Sequence, residues 1–119
     1  LIYLTNFFQK NDHWINEVMR NRSLHKVEAA KYDKFIELFI KLLCEQEPLS
    51  VEKWVKKSYF PIETSLKICR AADNGFGEAV LLLRNGSPHA AIDRYCEILE
   101  KQSILRLLEQ IRLLFKDEP

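Results

Sequence analysis

Between Glu78 and Leu99 the chain ends one helical pattern and begins another with only a few residues of punctuation between them. The apolar run Ala79 to Leu83 stops at Arg84-Asn85-Gly86, and a new periodic stretch begins at Ser87-Pro88. Gly86 can take the left-handed conformation that closes a helix, where a Cβ would be strained. Ser87 is a good N-cap, because its hydroxyl can accept from a free backbone N–H. Pro88 suits the first helical turn, where its missing N–H is not needed. A chain punctuated this way folds each helix back onto the one before it.

The same grammar recurs. Pro48 and Pro61 each precede an amphipathic stretch, and Gly75 follows a helical run as Gly86 does. Phe35, Leu38, Phe39, Leu42 and Leu43 follow the i, i+3, i+4, i+7, i+8 spacing of one apolar helix face, with Glu37, Lys41 and Glu45 opposite. Leu105, Leu108, Ile111 and Leu114 repeat helical spacing further on. No segment carries the sustained apolar–polar alternation of a strand bounded by hairpin turns. The pattern predicts helices over about 2–10, 13–21, 25–46, 48–57, 61–73, 76–85, 88–101 and 103–116.

A faint repeat runs through them. Setting Ile40 over Val80 aligns Leu42-Leu43 with Leu82-Leu83, Pro48 with Pro88, Val51 with Ala91 and Val55 with Tyr95. At nearly the same offset Ser65 to Cys69 meets Ile104 to Leu108. Two helices per period of about 40 residues mark an α-solenoid. The expected fold class is therefore all-α, with antiparallel helix pairs stacked as an α-solenoid fragment. The repeat-like units would cover 27–73 and 76–116 within one segment, 1–119, of a larger protein. The chain opens on Leu1, which fits a piece of that kind.

Composition narrows the function. Hydrophobic residues make up 47% of the chain and charged residues 29%, enough apolar surface to support a folded core. The net charge of +1 comes from interleaved signs, whereas a nucleic-acid surface needs clustered Lys and Arg. The apolar runs are far too short to span a bilayer. Three cysteines at wide spacing suit a reducing compartment better than a disulfide framework.

No constellation in the sequence carries chemistry. Cys44, Cys69 and Cys96 have no paired spacing for zinc and read as buried, inert thiols. His13, His25 and His89 share no four-residue spacing, so no helical metal pair forms. Glu45 with Glu47, and Glu97 with Glu100, read as solvated carboxylates, and Glu97 with Lys101 forms a weak i, i+4 pair. Gly75-Phe76-Gly77 reads as a helix-to-helix turn, since no strand precedes it as in a phosphate loop. Lys53, Lys56 and Lys57 beside Trp54 and Tyr59 suggest a phospholipid or nucleic-acid contact, but a solvated face over a buried Trp is the simpler reading. The stretch Ser103 to Phe115 could lie on a membrane as an amphipathic element. A face covered by a following helix pair explains it more simply.

The words of residues 38–99, from "LFIKLLCEQEPLSVEKW" through "FPIETSLKICRAADNGFGEAVLLLRNGSPHAAIDRYCEIL", resemble the clathrin-heavy-chain-repeat solenoids of the HOPS and CORVET vacuolar protein sorting tethers. The shared pattern is "LLC", then "EP" with Val51 three residues on. An aromatic, "PIE", "LKIC" and "EAVLLL" follow, and a break with Gly leads into a small-residue helix. Arg84 stands where the family usually has an acidic residue, and Gly86-Ser87 where it often has Gly-Asp. The resemblance implies a non-enzymatic scaffold segment of an endosomal or vacuolar tether, cytoplasmic and peripheral on the membrane through its complex. It implies other tether subunits as partners, with a small Rab GTPase nearby, no nucleic acid and no cofactor. The family's propeller and zinc-binding module lie outside this stretch, so no functional residue is carried over. Two other readings are a segment of a clathrin-like or intraflagellar coat protein, and a compact helical ligand-binding or catalytic domain built around Cys44 or Cys96.

Overall fold

The structure is a computed structural model and describes residues 1–116, without the side chain of Phe115. Residues 117–119 of the expected segment lie outside the described residues. Among those described, every regular element is helical: α1 (Ile2–Lys10), α2 (Asp12–Arg20), α3 (Lys26–Gln46), α4 (Val51–Val55), α5 (Ile62–Ala71), α6 (Gly75–Arg84) and α7 (Pro88–Lys116). A 3₁₀ turn, Pro48–Ser50, leads into α4.

Aromatic rings fill the core. Phe8 of α1 stacks on Phe39 of α3 at 4.7 Å between centroids, and Trp54 of α4 meets Phe39 edge-on at 4.9 Å. Ile36, Ile40, Leu43, Val51, Val55, Phe60 and Leu81 close around them, all fully buried. Burying a side chain of this size contributes about 1.5–3 kcal/mol. The expected α3 stripe is corrected in one respect. Leu38 points outward, while Ile36 and Ile40 turn inward, because α3 packs on several neighbours and buries a face wider than one stripe.

The two sharp turns are built alike. After α5, Asp73 N–H donates to the Arg70 carbonyl and Asn74 N–H to that of Cys69. After α6, Gly86 N–H donates to Leu83 and Ser87 N–H to Leu82. Both are Schellman closures with a left-handed residue at the same place: Asp73 at φ 52 and Gly86 at φ 76. Gly86 takes its expected role. Gly75 does not: the left-handed position belongs to Asp73, and Gly75 opens α6. Gly77 is needed for close approach, since a Cβ there would fall 2.7 Å from Val51 Cγ1. Gly75-Phe76-Gly77 is thus the first turn of a helix, capped by Asn74, whose Oδ1 accepts from Gly77 N–H at 3.0 Å.

The largest departure concerns the second repeat-like unit. Two helices were expected over 88–101 and 103–116, and one unbroken helix of 29 residues runs through both. In the first unit Ser58 to Pro61 separates α4 from α5, because Pro61 cannot continue a helix and holds its own backbone extended. No proline or glycine lies between Pro88 and Lys116, and Gln102-Ser103 is too weak a signal to stop a helix. A helix of this length reaches about 43 Å, and the molecule extends over 71 × 33 × 21 Å. Its radius of gyration is 18.2 Å, against about 13–14 Å for a compact chain of this size.

Candidate interaction surface

Helix α7 has two halves. Its first half is seated on α6 through Ala91, Arg94, Tyr95 and Ile98, spaced i, i+3, i+4, i+7. Ala91 is fully buried, the Tyr95 ring lies 6.0 Å from that of Phe76, and Ile98 covers Gly75 so closely that a Cβ there would fall 2.5 Å from Ile98 Cδ1. Arg94 locks the seat. Its guanidinium donates to Glu78 Oε2 at 3.1 Å, Glu97 Oε2 at 2.9 Å and Asp73 Oδ1 at 2.9 Å. Burial works to lower its pKa, but the three carboxylates outweigh burial and raise it.

Beyond Ile98 the helix leaves its neighbours. Ile104 is 56% exposed, Leu105 64%, Leu108 56% and Leu114 74%, with Leu107 and Ile111 also open. At about 100° per residue, the face that seats the first half continues into Gln102, Leu105, Glu109 and Arg112, which is mostly polar. The stripe Ile104, Leu107, Leu108, Ile111 and Leu114 looks away from that face. A contiguous apolar face of this kind marks an interaction site. On the polar side Arg112 bonds Glu109 one turn back. No helix among the described residues is long and apolar enough to cross a membrane.

Arg84, at the end of α6, has a structural task. Nη1 donates to the carbonyls of Val55 and Phe60, both at 2.9 Å, and Nη2 to that of Ser58 at 3.1 Å. It closes the frayed end of α4 and ties the 56–61 turn to α6. Burial pulls its pKa down, and carbonyl dipoles, not a carboxylate, hold its charge.

The residues singled out from sequence scatter. Lys53 and Lys56 are exposed, and Trp54 is buried with the ammonium groups of Lys53 and Lys57 at 5.7 and 5.4 Å from its ring. Lys57 and Tyr59 are used within the chain, at 2.9 and 2.6 Å from Asp12 Oδ1. The Tyr59 hydrogen bond, with Lys57 beside it, holds the Asp12 carboxyl below its ordinary range, while burial and Asp12 push the Tyr59 phenol up. His13 and His89 are exposed, and His25 rests 5.3 Å from the Trp14 ring. No group of three metal-ligating side chains forms among the described residues.

The three cysteines, expected to be buried, divide: Cys69 of α5 is buried, Cys44 of α3 is half-buried and Cys96 of α7 is exposed, because only Cys69 lies on a helix face covered by its neighbours.

The depressions on the surface are shallow. One of about 260 Å³ lies between Pro48, Asn74, Phe76, Arg94 and Ile98. Compared with known proteins, the chain matches no protein-family model, no curated protein and no solved structure.

Proposed function

We propose that the chain is a non-enzymatic scaffold segment of a membrane-tethering complex in vesicle trafficking, an α-solenoid piece whose helices stack as antiparallel pairs. The carrying observation is the distal half of α7. An apolar stripe, Ile104 to Leu114, stands exposed on the side away from the face that seats the same helix on α6. In a solenoid each helix pair is covered on both sides, and a terminal pair lacking its neighbour exposes such a stripe. The paired Schellman turns and the extended outline support the same reading. The partners are other tether subunits, with a small Rab GTPase within reach, and residence on endosomal membranes comes through the complex.

The test is affinity purification of the tagged chain from cells, with the bound proteins identified by mass spectrometry. HOPS or CORVET subunits should co-purify, and the double variant Leu108→Asp/Ile111→Asp should lose them while its helical circular dichroism stays unchanged. Recovery of clathrin-coat or intraflagellar subunits instead would overturn the tether assignment. Undiminished binding by the double variant would remove α7 from the interface.

A further inference from the structure

We propose that the corner between α2 and α3 docks on an anionic phospholipid surface, with Trp14, Leu24 and Val27 entering the interface and a group of cations facing the headgroup phosphates. This is a contact of the chain's own, beyond any made through its partners, and none of its residues belongs to α7. The apolar part is open: Leu24 is 78% exposed, Val27 79% and Trp14 45%. Trp14 reaches the corner from α2, its ring 5.3 Å from that of His25, which stands between Leu24 and Val27 in the chain. Tryptophan suits the boundary between headgroups and acyl chains, and aliphatic side chains beside it add buried apolar area.

Charge identifies the occupant. Between Arg20 and Lys34 the chain carries Arg20, Arg22, Lys26, Lys31 and Lys34 against Glu28 and Asp33. Five cations against two carboxylates give this segment +3, whereas the whole chain carries +1, so the remainder is negative. All five cations are exposed. Arg22 is bonded to Asp33, but Arg20, Lys26, Lys31 and Lys34 make no ion pair among the described residues. Glu17, one turn before Arg20, accepts from Asn21. Val27, Lys31 and Lys34 follow the i, i+4, i+7 spacing of one face of α3, so apolar and basic groups look the same way. A nucleic-acid backbone would use the cations and leave Leu24 and Val27 without a purpose, whereas an anionic bilayer uses both. Each cation near such a surface strengthens binding about fivefold.

The experiment is co-sedimentation of the full chain with phosphatidylcholine vesicles, with and without phosphatidylserine. Binding should require phosphatidylserine and weaken as salt rises. Brominated acyl chains should quench the fluorescence of Trp14 and spare the buried Trp54, with Trp14→Phe as the reference. Lys26→Gln/Lys31→Gln should weaken binding about tenfold or more, and Leu24→Ser should reduce the quenching. All three positions are exposed, so circular dichroism should be unchanged. Equal binding to vesicles without phosphatidylserine would overturn the proposal. So would binding without quenching of Trp14, or undiminished binding by the Lys26/Lys31 variant. Capture of soluble polyglutamate with no binding to vesicles would assign the corner to an acidic protein and overturn it too.

Discussion

Helix α6 and the distal half of α7 are both rich in leucine. One reads "EAVLLLR", the other "ILRLLEQIRLL". In α6, Ala79 and Leu81 are fully buried and Val80 nearly so, whereas in α7 Ile104 to Leu114 face outward. Leucine content gives both stretches helical propensity. Burial came only where other helices arrived: α6 has α4, α5 and the first half of α7 packed on it, while distal α7 has none of them. The two arginines divide the same way. Arg84 organises three distant carbonyls, and Arg112 touches only Glu109 of its own helix.

The sharpest way to break this contrast is to place a charge in each stretch. Leu81→Asp buries an unpaired carboxylate and should cost more than about 4 kcal/mol, a large share of the stability of a chain this size. Leu108→Asp should leave the thermal midpoint unchanged. Equal losses in thermal melts would mean that distal α7 is packed in solution. Next in size is the arginine pair. Arg84→Met strands three carbonyl acceptors and should cost about 2 kcal/mol by urea unfolding. Arg112→Met should be silent, since its ion pair is solvated.

The smallest effect is in the pH dependence. The Asp12 pKa is depressed in the folded state below its ordinary 3.8, chiefly by the Tyr59 hydrogen bond. Its contribution is therefore complete above the unfolded value and is lost as pH falls through the folded one. Urea titrations should find Asp12→Asn less stable than the parent at pH 6, with the gap closing below about pH 4. Glu109→Gln, on the exposed half of α7, should not alter the acid slope. A gap that persists at low pH would mean that Asp12 acts through packing and not through charge.

Much of the fold could be read before the structure. Gly86-Ser87-Pro88 marked a true turn, because a left-handed residue and a proline at the first helical position are local requirements. The first-unit break at Pro61 was legible for the same reason. The turn at Asp73 was assigned to the wrong residue. Aspartate is among the few side chains that enter the left-handed region, but glycine does so far more readily, and Gly75 two positions on drew the assignment. Gly75 and Gly77 serve other ends, the approaches of Ile98 and Val51, and both partners come from remote parts of the chain. The candidate surface was half legible. The apolar spacing of Leu105, Leu108 and Ile111 was plain, but the direction it faces depends on which side of α7 meets α6.

By itself the sequence determined what acts over one or two helical turns: the helical class, most boundaries and the Gly86 closure. Backbone sterics and capping bonds decide these within a few residues. Only the tertiary structure decided that Arg84 clamps the 55–60 carbonyls, and that α7 runs on without a break past its last neighbour. Each depends on groups more than twenty positions apart or on the absence of a contact, and a contact between distant segments is fixed by the packing of whole helices, which no short window of residues contains.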